Sequence, residues 1–374
     1  MAADPYITTY SQTYSEMGFR QSKMWPPNTL CMTIAGANTA KVAILRFGAC
    51  FPDSVVGFIP DKSKADLHFV LYSLGLMKDQ FLAVSQGATQ DNLGLGKLLS
   101  FPLLVPDVQQ QRRIAAVLSA YDALIENNKR RIALLERLAE ELYREWFVRF
   151  RFPGHDKAKF IKGVPASWKV KRFGDIANFT MGQSPPSQSY NESGDGLPFH
   201  QGVGTYGRRF PQKITYCNTK GRTAQQGDIL FSVRAPVGRL NIADCKMIIG
   251  RGLAAIRHKE GHNSYLFYLL KVVFASEDII GNGSIFNSVG KDELAKLEVL
   301  QPDDGLVAQF QSHAFSIDHQ ISLLAQCVDN LTNTRDALLP RLLSGKLSVE
   351  NLDIQFPPSM AEEVKAEPTG TAHA

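Results

Sequence analysis

The residues that invite a chemical reading lie in short, glycine-punctuated stretches. Gly202-Val-Gly-Thr-Tyr-Gly207 is a literal G-x-G-x-x-G. A dinucleotide fold needs a helix to start there, so that its N-terminus can meet a pyrophosphate. The chain instead continues with Arg208-Arg-Phe-Pro211 and then a β-like Lys213-Ile-Thr-Tyr216, which does not read as a helix. A loop carrying Gln201, Tyr206, Arg208 and Arg209 suits DNA better. Its glycines allow close backbone approach, and its arginines can pair with phosphate or read guanine. Two more loops offer similar chemistry. Gly182-Gln-Ser-Pro-Pro-Ser187 presents Gln183 and Ser184 on a stiff turn, and Asn282-Gly-Ser-Ile-Phe-Asn287 presents Asn282, Ser284 and Asn287 near an aromatic ring. Glutamine and asparagine can pair with adenine. In the N-terminal third, Arg20, Gln21 and Lys23 are candidates, as are Gln86, Thr89 and Gln90.

Other chemistries find less support. Gly94-Leu-Gly-Lys97 resembles part of a phosphate loop, but Leu98 stands where Ser or Thr is required. His258-x-x-x-His262 has helical metal spacing, yet Gly261 and polar neighbours point to a loop. Glu363-Val-Lys365 mimics half of a nuclease motif within a polar tail. The chain has no G-x-S-x-G elbow and no Asn/Asp-Pro-Pro-aromatic motif. The reading is of a chain without a catalytic centre or metal site of its own.

The elements that must position these loops come from a repeat. Positions spaced alternately four and three apart run through Ile114, Leu118, Tyr121, Ile125, Asn128, Ile132, Leu135, Ala139, Leu142 and Trp146. Adding 196 gives Phe310, Ala314, Ile317, Ile321, Leu324, Val328, Leu331, Arg335, Leu338 and Leu342. Only Asn128 and Arg335 are polar. A mean spacing of 3.5 keeps one helix face on a partner helix, so the chain carries its own partner. Upstream, Gly87, Gly94, Leu98, Leu104, Pro106 and Asp107 recur as Gly283, Gly290, Leu294, Leu300, Pro302 and Asp303, and Phe69–Leu74 matches Tyr265–Leu270. By the same offset, the segment from Ser85 to Gln90 is the counterpart of the Asn282 loop. Each unit reads as a mixed globular module, a short Leu-Pro-Asp strand exit and a long helix. Like faces related by an approximate two-fold axis would pair the helices antiparallel. A buried Asn128 would fix their register, or it lies at the seam's edge in water. The copies differ in length: the counterpart of Trp168 to about Phe199 would fall before Met1, so the first module is expected to be truncated at its N-terminus or to have its start mis-set.

Size and charge set bounds. At 374 residues, two domains are expected. There is no apolar run of membrane-spanning length and no signal-peptide layout, and the five scattered cysteines fit a reducing cytosol. From Arg151 to Gly305 there are 21 Lys/Arg against 14 Asp/Glu, whereas Met1 to Asp107 carries 8 of each. The second module is basic enough to approach a polyanion or simply has a solvated surface.

Several stretches together resemble the specificity subunit of type I restriction–modification systems. They are Gln110-Gln-Arg-Arg-Ile114, Leu134-Leu-Glu-Arg-Leu138, Leu142-Tyr-Arg-Glu-Trp-Phe147, Gln21-Ser-Lys-Met-Trp25 and Phe51-Pro-Asp-Ser-Val-Val56. In the second unit they are Gly227 to Gly238, Gly250 to Ile256, and Asp336 to Leu347. Arg234 and Arg251 lie within these stretches, as structural ion-pair partners or as base contacts. The resemblance implies an α+β chain: two target-recognition domains, each followed by a long helix, with the helices paired as an antiparallel coiled coil. The divisions expected are 1–107 for the first domain, 108–148 for its helix, 149–167 for a linker, 168–305 for the second domain, 306–347 for its helix and 348–374 for a disordered tail. It further implies a cytoplasmic, non-catalytic subunit that reads a bipartite target in double-stranded DNA. Two methyltransferase subunits and the restriction subunits would be its partners, holding the S-adenosylmethionine, ATP and Mg²⁺. A helix from Gln110 to Trp146 would span roughly 55 Å at about 1.5 Å per residue, a ruler between half-sites. The alternatives are an interaction scaffold that binds no DNA, and a truncated family member with one competent reader.

Overall fold

The computed structural model describes residues 5–85, 93–274, 288–357 and 360. In chain order the first elements are β1 (Tyr6–Ile7), α1 (Glu16–Arg20), β2 (Leu30–Thr33), β3 (Val42–Leu45), β4 (Val55–Phe58), α2 (Leu67–Leu76), α3 (Lys78–Ser85), α4 (Leu95–Leu99) and the long α5 (Val108–Tyr143). Next come β5 (Phe160–Ile161), β6 (Val164–Pro165), β7 (Lys169–Arg172), α6 (Phe173–Ile176), β8 (Ala177–Met181), β9 (Tyr190–Asn191), β10 (Leu197–His200), β11 (Tyr216–Cys217), β12 (Thr223–Ala224) and β13 (Ile229–Ser232). The last are β14 (Leu240–Ile242), β15 (Met247–Ile249), β16 (Leu253–His258), α7 (Asn263–Val273), α8 (Lys291–Lys296), β17 (Glu298–Gln301) and the long α9 (Asp304–Leu343). The chain forms two compact units, one of residues 1–130 with 324–374 and one of residues 131–323, so each unit takes part of each long helix.

In the first unit a four-stranded sheet has the order β1-β3-β2-β4. Leu30, Met32, Val42 and Ile44 point from it onto Leu67, Val70 and Leu71 of α2 and Phe81 of α3. The opposite face of α2 carries Phe69 and Tyr72 onto Ile114 and Leu118 of α5 and Leu339 and Leu342 of α9. A helix apolar on all sides is one buried on all sides, and α2 fits that rule. Its first turn is closed by Asp66, whose carboxylate accepts from the Phe69 amide at 2.9 Å.

The second unit repeats this core and adds to it. In the sheet β14-β13-β16-β8, Ile229, Phe231, Ala254 and Ile256 face α7 and the long helices, while Leu230, Leu253 and Ala255 face a second core. That alternation of period two buries both faces. Beyond it lies a five-stranded sheet of order β12-β15-β10-β11-β9. Here α5 ends in a π-helical turn, Arg144–Val148. The adjacent Trp146 and Phe147 are both buried, in an aromatic cluster with Tyr143, Trp168, Tyr265 and Phe310.

None of the twenty seam positions is exposed. In the first unit the opening turns of α5 meet the closing turns of α9, and in the second the closing turns of α5 meet the opening turns of α9. Asn128 is half-buried. Arg335 pairs with Asp122 across the seam and with Asp336 at 2.9 Å.

Two expectations need correction. Residues 102–105 form no strand, although β17 at the equivalent place does. β17 is hydrogen-bonded to β7, whereas no described strand lies beside residues 102–105, which leave Leu104 74% exposed. The chain from residue 348 to 357 is not a disordered tail. Val349 is buried against α5 and α9, and the Arg113 guanidinium donates to the carbonyls of Val349, Glu350 and Leu352.

Candidate nucleic-acid interface

Three glycine-bearing turns of the second unit converge at one end of β10, β15 and β16. The loop leaving β8 crosses this end: the Gly182 amide donates to Leu253 O at 2.9 Å and the Gln183 amide to Ile249 O at 3.0 Å. The contact is possible because side chains are missing. A Cβ on Gly182 would lie 2.2 Å from Gly250 O, and one on Gly252 would lie 2.6 Å from Gln201 O. The Ser184 hydroxyl donates to Gln201 Oε1 at 2.8 Å and accepts from the Arg251 amide at 3.2 Å. Gln183, Ser184, Gln201 and Arg251 thus share one rim. Gln183, Gln201 and Arg251 are exposed, and among the described residues the Arg251 guanidinium makes no hydrogen bond or ion pair. Arg251 is therefore not an internal ion pair.

The loop from Gln201 to Arg209 opens no α-helix; Val203–Thr205 is a single 3-10 turn. Of its four side chains expected to meet DNA, Gln201 lies on the rim and the other three point elsewhere. The Tyr206 hydroxyl is buried, and burial raises its pKa. Arg208 donates to Glu136 of α5 at 2.7 Å. Arg209 is 5% exposed and forms an ion pair with Asp318 of α9. Burial disfavours its charge, but Asp318 and Tyr268 outweigh that and raise its pKa. The glycine-rich setting suggested an open loop, whereas tertiary partners more than fifty residues distant take up both guanidinium groups. Beneath the loop, His200 accepts or donates at 2.8 Å to Thr205, and burial pushes its pKa down to about 4.

A polar groove of about 420 Å³ adds residues that sequence reading missed. Asn178 and Thr180 of β8, Arg222, Thr223, Gln225 and Arg257 line it. Arg257 is bound to Asp228 at its floor, while Arg222 is exposed and has no side-chain partner among the described residues. The groove adjoins the rim, since a Cβ on Gly221 would sit 3.4 Å from Pro185. The basic excess of residues 151–305 was the one signal for it. Arg234 is also exposed, at a bridge opposite Ser288.

In the first unit, Arg20 is exposed and paired with Glu16 at 2.7 Å, and Gln21 caps α1. Lys23 lies 3.8 Å over the Trp25 ring, which stacks on Phe51 at 5.0 Å. Gln86, Thr89, Gln90, Asn282, Ser284 and Asn287 lie outside the described residues. His258 and His262 have rings 5.0 Å apart, but no group of three or more metal-ligating side chains occurs among the described residues. No helix of the described residues is long and apolar enough to cross a membrane.

This arrangement can offer amides, a hydroxyl and free guanidinium groups on a rigid backbone platform, the requirements for contacting base edges and phosphates. The comparisons with known proteins agree. The family described as type I restriction modification DNA specificity domain matches residues 3–137 and again 165–309. A sequence assigned as the MjaX specificity subunit of a type I restriction enzyme, from Methanocaldococcus jannaschii, is 29% identical over 78% of this chain and 70% of its own length. The MjaIX specificity subunit of the same organism is 24% identical over 93% of this chain and 84% of its own. The crystal structure of a type I restriction-modification S subunit from M. genitalium shares the fold with a TM-score of 0.58 at 18% identity, covering 86% of this chain and 84% of that one. The chain therefore belongs to the family of type I restriction-modification DNA specificity domains, carries two of them, and is a non-catalytic specificity subunit of such a complex.

Proposed function

We propose that the chain reads a bipartite site in double-stranded DNA and holds two methyltransferase subunits, with restriction subunits joining the same frame. Residues 1–107 and 168–305 are the two readers. Helices 108–148 and 306–347 pair antiparallel along their length and set the distance between half-sites. Residues 348–357 belong to the frame, since Arg113 fastens Val349, Glu350 and Leu352. The chain works in the cytoplasm, and S-adenosylmethionine, ATP and Mg²⁺ act on the partner subunits. The observation that carries this reading is the rim on close-packed glycine turns, where Gln183, Gln201 and Arg251 are exposed around a half-buried Ser184. Arg222 and Lys220 beside it would meet phosphates, which makes binding salt-sensitive.

The test is a map of methylated adenines in DNA from cells expressing the partners with and without this chain. One bipartite motif should disappear on deletion, and an unchanged map would overturn the proposal. In the reconstituted complex, Gln201→Ala should cost about 1–3 kcal/mol of discrimination at one base pair. A second reading, of one dominant reader, is favoured by a specific difference. The described residues of the first unit include no counterpart of the five-stranded sheet that bears Gln201 and Arg222. It predicts a methylated motif specified in one half only.

A further inference from the structure

The two units share a buried tyrosine–aspartate pair but complete it with different arginines. Tyr72 donates to Asp122 at 2.5 Å, and Tyr268, 196 residues on, donates to Asp318 at 3.0 Å. In the first unit the cation is Arg335, supplied by α9. The position 196 residues before Arg335 is Ala139, which is fully buried and carries no charge. In the second unit the cation is Arg209, supplied by the loop that begins at Gln201. Arg209 also lies 4.6 Å over the Phe267 ring, and its neighbour Arg208 reaches Glu136. Two adjacent loop residues are thereby tied to two different long helices. The backbone closes the link: Ile242 N donates to Arg209 O at 2.8 Å, and Asn241 donates to Gly207 O at 3.1 Å. At the other end of the loop, Gln201 sits on the rim, with Gly250 and Gly252 pressed against it.

We infer that Arg208 and Arg209 are positioning residues that fix the Gln201 loop to both long helices, so that base discrimination by the second reader depends on Asp318 and Glu136. Neither carboxylate belongs to the rim. Among the described residues the first reader shows no such link, because its arginine, Arg335, comes from a helix. This inference rests on the DNA-reading function proposed above.

The experiment uses the complex reconstituted with its methyltransferase subunits and S-adenosylmethionine. It compares methylation rates on matched duplexes with those on duplexes carrying one mismatch in either half. Arg209→Met and Asp318→Asn should lower discrimination at least tenfold in one half and leave the other within twofold. Arg209→Lys should recover part of the loss, and Arg335→Met should leave both halves within twofold. Arg208→Gln and Glu136→Gln, at a more exposed pair, give variants that fold if the buried pair does not tolerate change, and they should lower discrimination in the same half. Folding is checked by hydrogen exchange. The inference is overturned if folded Arg209→Met or Arg208→Gln protein discriminates like wild type, or if both halves lose equally. A wild-type complex with no bipartite preference would instead overturn the proposed function itself.

Discussion

The same three-stranded core occurs twice, as β3-β2-β4 and as β14-β13-β16, and its fourth strand is added on opposite edges. In the second unit β8 lies antiparallel on β16. In the first, β1 lies parallel on β3, and β4 forms the sheet's edge. Likewise β17 has a partner strand, whereas residues 102–105 have none among those described. The lesson concerns what a repeat fixes. The packing of α2 or α7 against the sheet and the helix pair survives in both copies because each side buries apolar surface, at roughly 25 cal/mol per Å². Edge pairings rest on a few backbone hydrogen bonds, each worth about 1 kcal/mol net, and can differ without loss of the core.

The comparison breaks hardest at the two aspartates. Asp318→Ala leaves Arg209 buried without its counter-charge and should cost roughly 3–5 kcal/mol. Asp122→Ala leaves Arg335 still paired with Asp336 and should cost about 2 kcal/mol. Denaturation followed by hydrogen exchange in each unit measures both, and equal costs would refute the distinction.

Acid should separate the units next. Burial holds His200 and His258 of the second unit, and His68 of the first, neutral with pKa values of about 4. The unfolded chain takes up protons below an ordinary value near 6.5, so stability falls as pH drops through the window from 6.5 to 4. From pH 7 to 5 each histidine should cost about 2 kcal/mol. The second unit, with two, should lose about 2 kcal/mol more, as read from unit-resolved exchange at the two pH values.

Glycine substitutions give a smaller contrast. Gly182→Ala drives a Cβ into the Gly250 backbone and should destabilise by about 1–3 kcal/mol. Gly57→Ala meets the Trp25 ring at 2.7 Å, a side chain that can move, and should cost about 1 kcal/mol or less. The smallest effect expected is for Lys23→Ala, which removes an exposed cation–π contact worth about 0.5–1 kcal/mol. Thermal melts rank all three, and an inverted order between the glycine variants would show that the rim is more pliable than its packing implies.

The long helices were legible because burying one face of a helix leaves a periodic trace, and all twenty seam residues avoid exposure. The rim was half legible. Gln183, Ser184 and Gln201 stand in loops rich in glycine and proline, whose chemistry shows locally. Arg209 misled because its partner Asp318 lies 109 residues away, and nothing near Arg209 marks it as interior. Arg222 was missed for the converse reason: it sits in no motif and gains meaning only from the groove around it. The recurrence of Tyr72 with Asp122 as Tyr268 with Asp318 was readable at the shared offset, but the aspartates fall outside the apolar seam.

The division of the chain into units has a consequence for synthesis. The second unit is one continuous segment, residues 131–323, while in the first Leu339 and Leu342 at the end of α9, with Val349, cover α2 and the start of α5. Arg335 meets Asp122 across 213 residues of chain. On a ribosome adding about 5–20 residues per second, the module translated first is the last that can close. Until α9 emerges, Phe69, Tyr72, Ile114 and Leu118 have lost no water to it, so this apolar surface stays open to water while the rest of the chain is made.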